Sequence, residues 1–161
     1  MSSEGGGHID RTLAPAEAAP QLRMDLPIDL GGIPAVLDEL MRRGSAAGFP
    51  RRKLRLNLCV GVCEALSNAM RHGGAGPQEA VRLEAAFSSV RIEVRIADGG
   101  VGFDPERIPD PTLPENMVGE AGRGVYLIRK LMDHVEYNDV GNSLFMVLYA
   151  RRRAGRRAPS G

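Results

Sequence analysis

The sequence predicts an α/β protein, more narrowly an α+β two-layer sandwich in which helices pack on one face of a mixed, mostly antiparallel sheet. Three observations lead there. Segments of period two occur in adjacent pairs joined by short turns, the pattern of antiparallel hairpins. Segments of period 3.6 are fewer, and they are grouped rather than alternating strictly with the strands. The 161 residues, 43% hydrophobic and 25% charged, suit one domain with a core of its own.

Residues 1–20 are Gly, Ser, Ala and Pro with few large apolar groups, and they read as a disordered lead-in. From Leu22 to Leu30 apolar residues alternate with Arg23, Asp25, Pro27 and Asp29, which predicts a strand with one buried face. Pro27 cannot donate to a ladder, so this strand belongs at an edge. Ile33, Val36, Leu37, Leu40 and Met41 fall at helical spacing, and Gly44 and Gly48 close that helix. A second helix runs from about Arg51 to His72, with Leu54, Leu58, Val62, Ala65 and Ala69 on one stripe. Gly73 to Pro77 stops it. Two strands follow, through Val81–Phe87 and Val90–Ile96, joined at Ser88-Ser89. Asp98 to Glu120 is rich in Gly and Pro and has no period, as expected of a functional loop or lid. Gly122 to Met132 returns to helical spacing, and strands at Val135–Tyr137 and Leu144–Tyr149 close the domain, which spans residues 21–150. Residues 151–161 carry five arginines and no acid, and read as a basic disordered tail.

Composition excludes several functions. Net charge is +1, and with the arginine tail set aside the body is acidic, so direct nucleic-acid binding is not expected. The seven-residue apolar run Leu144–Ala150 is far short of the roughly 20 residues of a membrane span. The first residues lack the basic start and apolar stretch of a secretion signal. Cys59 and Cys63 are four apart. On a helix their Cβ atoms would stand about 6 Å from each other, beyond disulfide reach, and a reduced, cytoplasmic setting is expected. No Walker-type phosphate loop and no protein-kinase signature occurs. Met41, Met70, Met132 and Met146 read as core fillers, and His134 as a helix-end or surface residue.

Three segments break the plain pattern of their elements. Glu64, Asn68 and His72 lie at i, i+4 and i+8, within about 80° of arc on one helix face. A carboxylate there can take a proton, and the amide oxygen one turn on can hold a hard cation. Asp98-Gly-Gly-Val-Gly102 follows a strand directly. Asp98 is an acceptor suited to an exocyclic amine, and Gly100 and Gly102 let backbone approach a flat or phosphorylated ligand. Gly122-Arg123-Gly124 opens a helix, where free N–H groups and a guanidinium form an anion site. Taken singly, each has an ordinary reading: a solvated helix face, a glycine turn, a glycine-rich cap.

Taken in order, the segments resemble the N, G1 and G2 boxes of the histidine-kinase-like (Bergerat-fold) ATPases, the superfamily of gyrase, the heat-shock chaperones, mismatch-repair ATPases and histidine kinases. Within it, Glu-Ala-Leu-Ser-Asn-Ala from Glu64, the run Gly-Arg-Gly-Val-Tyr-Leu-Ile-Arg-Lys-Leu-Met-Asp-His-Val-Glu-Tyr from Gly122, and the short length are similar to the anti-sigma-factor serine/threonine kinases of bacterial partner-switching systems. The resemblance covers about Met24 to Tyr149. It implies ATP and Mg²⁺ as ligands. Glu64 would be the general base toward the attacking hydroxyl and Asn68 the Mg²⁺ ligand. Asp98 would accept from the adenine amino group, in a pocket shaped by Gly100 and Gly102. Gly122, Arg123 and Gly124 would cap the phosphates, with Arg71 and His72 as further phosphate contacts. The implied partners are a sigma factor, a STAS-type anti-anti-sigma antagonist that is phosphorylated, and a second copy of the chain in a homodimer. Three other activities stay open: a non-catalytic ATP-binding anti-sigma module, the ATPase domain of a split histidine kinase, and a stand-alone ATPase that activates water.

Overall fold

The structure is a computed structural model of the chain, and residues 19–73, 80–108, 110–113 and 122–151 are described. Alternation makes β1 (Leu22–Pro27), which buries Leu22 and Leu26 and turns Arg23, Asp25 and Pro27 outward. The strand stops three residues sooner than the alternation extends. Asp29 accepts the Gly31 N–H and so caps a 3₁₀ turn, Leu30–Gly32, that feeds α1 (Ile33–Ala46). Ile33, Val36, Leu40 and Gly44 form the buried stripe of α1.

After Pro50 the chain enters one continuous helical rod with three parts: α2 (Arg51–Lys53), a π segment (Leu54–Cys59) and α3 (Val60–His72). The π segment has a cause visible in the sequence. Leu54, Leu58, Val62 and Leu66 are each four apart, and all four are fully buried. A spacing of four drifts about 40° per turn on an α-helix of 3.6 residues. The wider i→i+5 turn absorbs part of that drift and keeps Leu54 and Leu58 on the core face. Two side chains pin the rod. The Lys53 ammonium donates to the carbonyls of Tyr149 and Ala150, and Asn57 Nδ2 donates to Leu131 O at 2.7 Å.

The hairpin β2 (Ala80–Phe87) and β3 (Arg91–Ala97) follows, then α4 (Arg123–Leu131) and the hairpin β4 (His134–Tyr137) and β5 (Ser143–Tyr149). The sheet order is β1-β2-β3-β5-β4. Every described pairing is antiparallel, where the sequence allowed a mixed sheet. Pro27 sits on an edge strand, as its missing N–H requires. Val81, Leu83 and Ala85 of β2, Ile92, Val94 and Ile96 of β3, and Leu144, Met146 and Leu148 of β5 meet the helices in one core. Met70, Met132 and Met146 are buried in it and Met41 packs against it. Cys59 and Cys63 are free and half-buried. His134 opens β4, at 3.2 Å from Glu136. The expected lead-in, the stop at Gly74–Pro77, the end of the long loop and the arginine tail lie, but for a few residues, outside the described ones. No helix among the described residues is long and apolar enough to cross a membrane.

Leu58 shows no exposed surface where the π segment meets the sheet. Leu58→Ala is expected to lower stability by about 2–5 kcal/mol. Denaturant unfolding checks it, and a loss under about 1 kcal/mol would mean the π segment is loosely packed.

Candidate functional site

A cavity of about 580 Å³ opens between α3, the ends of β3 and β5, and the start of α4. Its wall on α3 is Ala65, Asn68, Ala69 and His72. Those four positions fall within about 100° of arc, since successive residues are 100° apart on a helix. Two are alanines, and the small side chains leave the space open.

One end of the cavity is a half-buried carboxylate in apolar surroundings. Asp98 Oδ1 accepts the Gly100 N–H at 2.8 Å, and the Asp98 N–H donates to Asn142 O at 3.0 Å. Burial pushes the Asp98 carboxyl above its usual range, and the Gly100 N–H offsets part of that rise. Ile96, Val125 and Leu144 supply apolar floor. Phe103 and Tyr137 form a further wall, with ring centroids 5.2 Å apart in an edge arrangement. Burial holds the Tyr137 hydroxyl up at about 12, so it stays a neutral phenol. A slot with aromatic and aliphatic walls and one buried acceptor suits a flat heterocycle that carries an amino group.

The other end is the N-terminus of α4. Gly122 caps it with φ +84°, a left-handed conformation, and no side chain among the described residues caps the helix. The first N–H groups and the positive end of the helix dipole are therefore available to an anion. Gly124 lies directly on α3: a Cβ there would stand 3.0 Å from both Asn68 Nδ2 and Glu64 Oε2. Glycine lets the first turn of α4 rest on this carboxamide and carboxylate without pushing either side chain aside.

Asn68, His72, Asp98, Gly102 and Gly122 all line the cavity, and Gly100 holds the Asp98 carboxylate from behind. Glu64 is half-buried at the α3–α4 contact and does not line the cavity itself. Glu64 and Arg71 are seven residues apart and so share one azimuth, about 100° from the middle of the cavity face. Arg71 is exposed and off the cavity, as is Arg123, whose azimuth is 100° from that of Gly124. Sequence reasoning missed Phe103, Tyr137, Asn142 and Ser143. Tyr137 read as a plain strand residue, and nothing local linked it to Phe103. No group of three or more His, Cys, Asp or Glu able to hold a metal occurs among the described residues.

Known proteins resemble this chain in sequence and in fold. Residues 26–148 match the histidine kinase-like ATPase domain family. The serine-protein kinase RsbW of Listeria monocytogenes serovar 1/2a is 31% identical over 117 residues, covering 68% of this chain and 74% of that protein. The serine-protein kinase RsbW of Oceanobacillus iheyensis is 33% identical over 99 residues, covering 56% and 62%. Among solved structures, the RsbU and RsbW domains of a Mycobacterium tuberculosis protein superpose with a TM-score of 0.53 at 12% identity, covering 82% of this chain and 31% of that one. That likeness speaks to the fold. The chain belongs to the histidine kinase-like ATPase domain family.

The strained burial of Asp98 has a measurable sign. A carboxyl whose folded pKa is raised adds stability that is fully present below its unfolded pKa and lost as pH rises through the folded one. At neutral pH the ionised Asp98 therefore costs stability. Asp98→Asn keeps the acceptor for Gly100 and removes the charge. The variant is expected to melt above wild type at pH 7, with the gain vanishing below about pH 4. Its affinity for ATP should fall roughly 5- to 150-fold, because a ligand amine is left facing a second donor. Calorimetry and melting curves across pH read both, and unchanged ATP affinity would remove Asp98 from the site.

Proposed function

We propose that this histidine kinase-like ATPase is a serine/threonine protein kinase that acts as an anti-sigma factor. It transfers a phosphoryl group from ATP to a small antagonist protein and binds a sigma factor until that antagonist displaces it. The observation that carries the reading is the contact of Gly124 with Glu64 and Asn68: a carboxylate and a carboxamide side by side under a helix N-terminus, the carboxamide in the cavity wall and the carboxylate beside it. The relatives named serine-protein kinases support the reaction class.

Each residue then has work suited to its place. Asp98 accepts from the adenine amino group, and Gly100 and Gly102 bring the loop backbone close to the base. The N–H groups that follow Gly122 draw the phosphates by charge and direction. Asn68 offers an amide oxygen to Mg²⁺, with phosphate oxygens completing a hard-cation set. Bound there, Mg²⁺ would neutralise charge on the phosphates. The donor set fits such an ion: oxygen ligands, one from the protein, beside an anion site. Glu64 takes the proton of the acceptor hydroxyl as the oxygen attacks. Its place beside the cavity rather than in its wall suits a base that meets a second protein instead of the nucleotide. His72 lines the cavity one residue before Gly73, which packs against Asp98, so it would meet the nucleotide from the Asp98 side. Arg71 and Arg123 are exposed and flank the cavity, from which they would meet the outer phosphates of a bound nucleotide. Pairing of two copies and work in the cytoplasm complete the proposal.

Glu64→Gln tests the catalytic part. It keeps volume and hydrogen bonding and loses basicity. Phosphorylation of STAS-type antagonists encoded in the source genome, read by mass spectrometry, should slow 10²–10⁴-fold. Nucleotide binding and sigma-factor binding should persist. Transfer at the wild-type rate would remove Glu64 as the base. A wild type that binds a sigma factor but phosphorylates no antagonist would leave a non-catalytic binding module.

A further inference from the structure

The turn between β4 and β5, residues 138–142, touches the Asp98 loop at more points than a hairpin closure needs. Asn138 Oδ1 accepts three backbone N–H groups, from Gly141 at 2.9 Å, Asn142 at 3.0 Å and Ser143 at 3.0 Å. With its oxygen so committed, the amide nitrogen has one direction left, and Nδ2 donates to Asn142 Oδ1 at 2.9 Å. That bond sets the Asn142 amide in turn. Its Nδ2 faces the Asp98 loop and donates to Gly100 O at 3.1 Å. Gly100 is the residue whose N–H holds the Asp98 carboxylate. The Asn142 carbonyl also accepts the Asp98 N–H.

The backbones interlock as well. Gly102 (φ +73°) and Gly141 (φ +78°) each sit where a Cβ would collide with the opposite strand of chain, Val140 O for Gly102 and Phe103 O for Gly141. Both conformations are left-handed, and both approaches are closed to any side chain. Turn and loop thus form one rigid unit, although about forty residues separate them in sequence.

We propose that Asn138 and Asn142 are positioning residues for base recognition. Asn138 orients the Asn142 amide, Asn142 fixes the Gly100 peptide, and Gly100 presents the Asp98 carboxylate to the exocyclic amine of adenine. Asn138 touches no cavity surface, so its effect on nucleotide is wholly indirect, whereas Asn142 lines the cavity as well as holding Gly100. The inference rests on the reading of the cavity as an adenine site.

Two variants separate positioning from folding. Asn138→Asp keeps an acceptor for the three N–H groups and loses the Nδ2 donor, so the turn closes while the Asn142 amide loses its orientation. Asn142→Ala leaves the three N–H bonds to Asn138 Oδ1 in place and deletes both the bond to Gly100 and the Asn138 Nδ2 bond to the Asn142 amide. Titrating wild type and both variants with ATP and with ITP, which lacks the amino group, reads the effect. Wild type is expected to prefer ATP. In each variant ATP affinity should fall roughly 3- to 10-fold while ITP affinity changes little, so the ATP-to-ITP ratio contracts. Amide exchange at residues 100–103 without nucleotide should quicken in both variants. A purely structural role would weaken ATP and ITP equally, and an unchanged ratio in folded variants overturns the proposal. A wild type with no preference for ATP over ITP would fail one step earlier: it would overturn the adenine reading, and the positioning role with it.

Discussion

Much of this molecule depends on how near α4 can come to α3. Two helices normally pack with 8–10 Å between axes, a distance set by the side chains at the contact. At Gly124 the contacting residue has none, and the first turn of α4 settles onto the carboxylate of Glu64 and the carboxamide of Asn68. The contact brings a helix N-terminus, with its unsatisfied N–H groups, to polar side chains that belong to another element. The same helix pair is held at its other end by Asn57, which donates to the Leu131 carbonyl in the last turn of α4. That bond satisfies one of the carbonyls a helix end leaves open. α4 is thereby fixed by a hydrogen bond at its C-terminal end and by a close approach at its N-terminal end.

The opposite end of the cavity obeys a different constraint. There the sheet supplies rigidity and two turns supply shape. Asp98 is kept half-buried at a cost, since burial disfavours its charge. Val101, Phe103 and Val140 stay exposed near it, with Val101 at 90%. Such features do nothing for the stability of the free protein. They fit a surface that a ligand or a partner completes, and they are the usual cost of a binding site in a marginally stable fold.

How much of this could be read from the sequence follows from the range of each interaction. Period two located β1, β2 and β3 within a few residues because their core face is buried and the other carries charge, whereas β5, with Phe145 and Val147 buried beside Leu144, Met146 and Leu148, read as an unbroken apolar run. The end of β1 was misjudged because Leu30 continues the alternation, while the cap at Asp29 decides the backbone. The site motifs were legible because Glu64, Asn68 and Asp98 depart from what their elements need. Helical azimuth also had limits: the arc through Glu64, Asn68 and His72 is real, but its direction relative to the sheet is not local information. The cavity faces the Asn68–His72 side, which leaves Glu64 and Arg71 off its wall. Asn138 and Asn142 looked like any polar hairpin turn, because their meaning lies in a loop some forty residues earlier. Phe103 and Tyr137 meet across a similar gap.

One stretch of chain joins the two ends. From Gly122 to Ser143 it runs through α4, turns at Met132 and Asp133, forms the four-residue β4 and closes through the Asn138 turn into β5. Asp133 anchors the corner, donating its N–H to Val147 O at 2.9 Å and accepting the Tyr149 N–H at 2.8 Å. The open N–H groups of α4 and the two asparagines that hold the Asp98 loop are thus borne by a single segment about twenty residues long. β4 is short and lies at the edge of the sheet, so only β5 restrains it by backbone pairing. Along that segment α4 is restrained first at Leu131 by Asn57, then at Asp133 by β5, and then at the Asn138 turn by the Asp98 loop. The corner's two bonds to β5, one from the Asp133 N–H and one to its carboxylate, therefore tie the segment to the sheet midway between the start of α4 and the Asn138 turn.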